Sequence, residues 1–157
     1  MHKAQISSKQ AEDFFQLYKQ IVESDFKEWS AESKTEWLTD KYSLNFWKVA
    51  LENGLPVLVA FDDKKMVGYV ALESITFGVA YLGWIGVLKE YRKNKLGTQL
   101  MKEMVNWCIK NGLHKIELET QKKELLPFFE KLGYVLEGIR KNSWQHLDNY
   151  MFGKTLQ

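Results

Sequence analysis

Apolar positions along this chain follow two different periods, and the change falls at Pro56. On the N-terminal side the spacing is helical. Phe14, Phe15, Tyr18, Ile21 and Val22 recur at helical intervals behind Ser7 and Gln10, a pair that reads as a capping box. The helix they predict ends between Asp25 and Trp29. Ser33 and Glu36 offer a second box, followed by Trp37, Leu38, Leu44, Trp47, Ala50 and Leu51. Asn53-Gly54 closes that segment in a left-handed cap, and a break near Tyr42-Ser43 would give two shorter helices instead of one.

After Pro56 the apolar runs are short and strand-like. Val57-Leu58-Val59-Ala60-Phe61 is a buried strand, Asp62-Asp63-Lys64-Lys65 a turn, and 66–76 the hairpin partner. A third strand spans 79–88. A helix over 97–110 sets Leu100, Met104, Trp107, Cys108 and Asn111 along one stripe, and Asn111-Gly112 stops it. A strand over 115–120, a short helix over 125–132, and strands over 134–139 and 149–156 complete the chain. This order predicts an α/β fold: a mixed sheet with helices on both faces.

One junction carries chemistry. The apolar strand ends in a cationic turn with Arg92, Lys93 and Lys95, and Gly97-Thr98 opens the helix. Such a junction aims unpaired N–H groups and the positive end of the helix dipole at one point. With basic side chains beside it, that point suits a phosphate or pyrophosphate.

Composition narrows the partners. At 157 residues the whole chain, 1–157, is expected to form a single domain. The balance of 22 basic against 20 acidic side chains is too even for a nucleic-acid binder. One cysteine excludes an internal disulfide and points to a reducing, cytoplasmic setting. No apolar run approaches the roughly 20 residues of a membrane helix, so no membrane partner is expected. His2, His114 and His146 show no metal spacing with one another or with Cys108, so no metal site is expected.

Two motifs resemble a known family. Arg92…Lys95…Gly97 sits in the register of an Arg/Gln-x-x-Gly-x-Gly/Ala phosphate motif, and Phe129-Glu130-Lys131-Leu132-Gly133-Tyr134 matches a second block. Both are similar to the GCN5-related N-acetyltransferases, a resemblance that covers about 57–156 and extends to the last strand, with Met151, Lys154 and Leu156. It implies a mostly antiparallel sheet splayed between its fourth and fifth strands, an acetyl-coenzyme A co-substrate, and a small-molecule or peptide amine acceptor. The pantetheine arm is then expected along the backbone of Ile85 and Val87. The pyrophosphate falls on the amides of Arg92, Lys93, Asn94, Lys95, Leu96, Gly97 and Thr98, with Phe129 nearby. The resemblance makes the Val87 amide the expected oxyanion donor and Glu117 the general base, with Glu73 a weaker alternative; an ordinary solvent-facing strand carboxylate, as Glu119 also reads, is the other reading of Glu117.

Departures from the family pattern sharpen the expectations. Lys95 stands where the family has glycine, so its φ must stay negative or the loop bears strain. Phe129 stands where the family has the tyrosine acid, leaving Tyr134 or Tyr150 to supply a hydroxyl. A catalytically silent acyl-coenzyme A-binding domain is the alternative that Phe129 supports, and a plain interaction module is a third. Cys108, on an apolar helix stripe, reads as a buried structural thiol rather than a nucleophile. Trp29, Trp37 and Trp47, with Trp144 in a late loop, read first as core packing. Walls of an acceptor pocket, or a homodimer surface, are the other uses.

Overall fold

A computed structural model describes residues 1–157. The elements run β1 (His2–Gln5), α1 (Ala11–Asp25), α2 (Ala31–Glu36), α3 (Leu44–Glu52), β2 (Val57–Asp62), β3 (Lys65–Thr76) and β4 (Val79–Val87). They continue as α4 (Leu96–Lys110), β5 (Lys115–Thr120), α5 (Leu126–Lys131), β6 (Val135–Arg140) and β7 (Asn149–Thr155). The strands form one seven-stranded mixed sheet in the order β1-β2-β3-β4-β5-β7-β6. Of the ladders that place the site, β4–β5 is parallel and β5–β7 and β6–β7 are antiparallel. No helix is long and apolar enough to cross a membrane.

By its internal contacts the chain divides into two compact units. The first comprises Met1–Ala71 and Trp84–Met101, the second Leu72–Gly83 and Lys102–Gln157. In the first, the predicted Ser7–Gln10 box forms on a 3-10 turn that leads into α1. The second box is not used. Ser30, three residues before Ser33, caps α2 by accepting from the Ser33 N–H at 3.1 Å. A π-helical turn over Trp37–Lys41 follows, and the chain breaks at Tyr42-Ser43, where Ser43 caps α3.

Aromatic packing builds the core of this unit. Phe14, Tyr18, Trp47 and Tyr69 are fully or nearly fully buried, and Phe14 meets Trp47 and Tyr69 edge-on at 4.8 and 5.2 Å. Gly86 belongs to this core because a Cβ there would lie 2.9 Å from the Tyr69 ring and 3.0 Å from Ile21.

The second unit packs Cys108, Ile116, Leu118, Phe129, Tyr134 and Phe152 inside. The β4–β5 ladder pairs Val79–Leu82 with Lys115–Leu118 and ends there, although β4 continues to Val87 and β5 to Thr120.

Candidate active site

In the first unit, β4 leads through a 3-10 turn over Lys89–Asn94 into α4. Helix α4 starts at Leu96, one residue before the sequence expectation, because Lys95 takes the capping position. Lys95 has φ 56° and ψ 21°, left-handed backbone that glycine adopts freely and lysine only under strain. Of the two outcomes open to this position, the chain takes the strained one.

The geometry at the helix start follows from that kink. Gln99 is the first residue to close a helical bond, onto the Lys95 carbonyl at 3.0 Å. The N–H groups of Leu96, Gly97 and Thr98 precede it, where a helix supplies no internal acceptor. Lys93, Asn94 and Lys95 are exposed beside them.

Arg92 behaves differently from the two lysines. Its Nε donates to the Val87 carbonyl at 2.8 Å, and its Nη2 reaches the Asp25 carboxylate oxygens at 2.8 and 2.6 Å. The guanidinium therefore ties the turn to β4 and to the end of α1. Tyr91 adds a second tie by donating to Asp62 at 2.8 Å. The Leu88 N–H donates to Val67 at 3.0 Å, which fixes the strand end next to Val87.

The second unit carries an acidic sheet face. Glu117 and Glu119 are two residues apart on β5 and share a face. Their surroundings differ. Glu117 is half-exposed and ion-paired at 3.0 Å with Lys115, which also holds Glu137 at 2.9 Å. Glu119 is 11% exposed and accepts from Arg140 Nη1 and Asn149 Nδ2, each at 2.8 Å. The negative charge of Glu119 also acts on the Tyr81 phenol of β4. Burial, followed by the negative charges of Glu119 and Glu73, pushes the Tyr81 phenol well above its ordinary range, so it stays protonated.

The other expected site residues fall elsewhere. Tyr134 is buried, its hydroxyl makes no hydrogen bond, and burial followed by the Cys108 thiol raises it. That phenol is not among the donors to Glu119. Phe129 is a core residue against Phe128, Tyr134 and Phe152, with centroids 5.2, 6.1 and 5.5 Å away. Cys108 is fully buried, and desolvation pushes its thiol up to about 11.

Trp29 and Trp47 are buried as core packing requires, whereas Trp144 is 49% exposed. Tyr81, Arg140 and Asn149 were missed from sequence. The one available signal was the alternation that puts Glu119 on the Glu117 face.

The chain matches the model of the Acetyltransferase (GNAT) family over residues 15–134 and belongs to that family. It is 24% identical over 113 residues to N-alpha-acetyltransferase 50 of Danio rerio, covering 68% of this chain and 67% of that protein. It is 26% identical over 90 residues to streptothricin acetyltransferase A of Bacillus subtilis, where the match spans 56% of this chain and 52% of that one. Among solved structures, the PaiA N-acetyltransferase of Thermoplasma acidophilum in complex with coenzyme A superimposes with a TM-score of 0.82. That likeness covers 98% of each chain at 20% identity and speaks for the fold.

Proposed function

We propose that this chain is one N-acetyltransferase domain, 1–157, which moves an acetyl group from acetyl-coenzyme A to an amine by direct attack. The observation that carries the reading is the junction from Leu88 to Thr98. There a left-handed Lys95 turns the chain so that consecutive amides head α4 beside Lys93 and Lys95. Those amides suit a diphosphate, as a helix start does generally. Ile85 and Val87 lie on the part of β4 beyond its β5 ladder, where an extended pantetheine arm finds main-chain partners. The Val87 N–H is the proposed oxyanion donor.

For the chemistry, a neutral amine nitrogen attacks the thioester carbonyl carbon, the C–S bond breaks, and coenzyme A leaves as thiolate. The amine proton needs a carboxylate. Of the two β5 glutamates we take Glu119, which is sheltered and held by two donors, Arg140 and Asn149; Glu117 is the solvent-facing alternative. The acceptor is a small-molecule or peptide primary amine, and a cytoplasmic setting fits this co-substrate.

Thermal denaturation with and without coenzyme A tests the reading. The ligand raises Tm in the parent protein by mass action. Gly97→Trp, which fills the space before the amides, removes the shift and leaves the apoprotein folded. No shift at saturating ligand, or no amine-dependent thiol release across an amine panel, overturns it.

A further inference from the structure

Asn149 is the one buried polar residue of the core, 1% exposed, at the first position of β7. Its Nδ2 donates to Glu119 Oε2 at 2.8 Å, and its Oδ1 is buried with no hydrogen-bond partner. The orientation of this amide is forced. A carboxylate only accepts, so the alternative flip would set Oδ1 against Oε2, oxygen against oxygen. The residue thus holds one useful bond at the expense of an orphaned carbonyl oxygen, which a buried site normally penalises. An apolar side chain at 149 would avoid the orphan.

We infer that Asn149 is a positioning residue for the proposed general base, retained because its Nδ2–H fixes the orientation of the Glu119 carboxylate. This rests on the acetyltransferase reading above. Two donors divide the labour. Arg140 takes Oε1 from the exposed side and Asn149 takes Oε2 from within the sheet. The registers of β7 support the assignment. Asn149 is paired with Arg140 on β6, and Tyr150 with Thr120 on β5, so Asn149 reaches Glu119 from the neighbouring strand and Arg140 reaches it across β7. The charged and titratable groups that face Glu119 are then Tyr81 from β4, Arg140 from β6 and, through Tyr81, Glu73 from β3. A carboxylate that loses this hold is misaligned for the proton it must take, so the cost falls on kcat.

The test is a double-mutant cycle with steady-state kinetics, using thiol release from acetyl-coenzyme A and the best primary amine of the panel. Asn149→Leu lowers kcat/KM roughly tenfold to a hundredfold, the span expected for a hydrogen bond to a charged group. The loss falls on kcat, with KM for acetyl-coenzyme A unchanged. In a Glu119→Gln background the same substitution costs almost nothing further, because the group it positions is gone. Asn149→Ser, smaller and polar, gives the same pattern where the leucine variant folds poorly. Equal losses in both backgrounds, or a loss confined to KM, overturn the positioning role and leave the acetyltransferase reading intact. Absence of amine-dependent turnover in the parent protein overturns both.

Discussion

Arg92 and Asp25 are joined side chain to side chain at 2.6 Å, across 67 positions of sequence, and this bond sets the 89–94 turn against the end of α1. The family motif invites a reading of that arginine as a phosphate clamp. Its geometry is that of a strut, with one nitrogen on the Val87 carbonyl and another on Asp25. The two readings predict opposite results. As a strut, Asp25→Asn and Arg92→Lys both weaken coenzyme A binding on the order of tenfold, since lysine cannot reproduce a guanidinium fork. As a clamp, Asp25→Asn would free the arginine and strengthen binding. Isothermal titration of coenzyme A into the two variants decides.

The left-handed Lys95 gives a second prediction. Lys95→Gly relieves the backbone and stabilises the fold by about 1 kcal/mol, a rise in Tm of roughly 2–4 °C for a chain of this size. It also removes an ammonium beside the proposed diphosphate, so affinity for coenzyme A falls and its salt dependence weakens. Lys95→Ala loses the charge and keeps the strain. The glycine and alanine variants should therefore match in affinity and differ in Tm. Calorimetry at low and high salt measures both.

How much of this was legible follows from where the information resides. Capping residues, turn glycines and alternation are local, so α1, β2 to β5 and the Gly54 and Gly112 stops could be read from neighbours along the chain. Strand β1 could not. His-Lys-Ala-Gln has no apolar alternation, and its pairing with β2 from His2↔Phe61 to Gln5↔Leu58 supplies the order through main-chain bonds. The same limit applies at the site. Sequence places Glu117 and Glu119 on one face, but only β6 and β7 decide which is sheltered, through Arg140 and Asn149. Lys95 lies between these cases: the motif register singled it out, and only the backbone shows that it accepts the strain.

Cys108 supplies a negative prediction. Burial holds its thiol at about 11, so near pH 8 about one molecule in a thousand is thiolate. Cys108→Ala should keep amine-dependent turnover within about twofold. It should lower stability by roughly 1 kcal/mol, through the small cavity it leaves. A loss of turnover by orders of magnitude with the fold intact would restore a covalent acyl-cysteine route. Stopped-assay kinetics together with circular dichroism separate the cases.

Alkaline pH is the last lever, and its sign can be worked out. Tyr18, Tyr69, Tyr81 and Tyr134 all have phenols raised well above the ordinary 10.0, with desolvation by burial the first cause in each. In the unfolded chain these phenols ionise near 10.0, whereas the folded protein holds them neutral. Their contribution to stability is therefore complete below that pH and is lost as pH rises above it, because the unfolded state releases protons that the folded state retains. Ultraviolet titration should show these four phenols ionising in one cooperative step that coincides with loss of circular dichroism. Tyr18→Phe removes one of the four and also the acceptor of the Trp37 indole N–H, at 2.5 Å. It should push that step to higher pH while lowering Tm at neutral pH, a pair of opposite shifts that simple loss of packing would not produce.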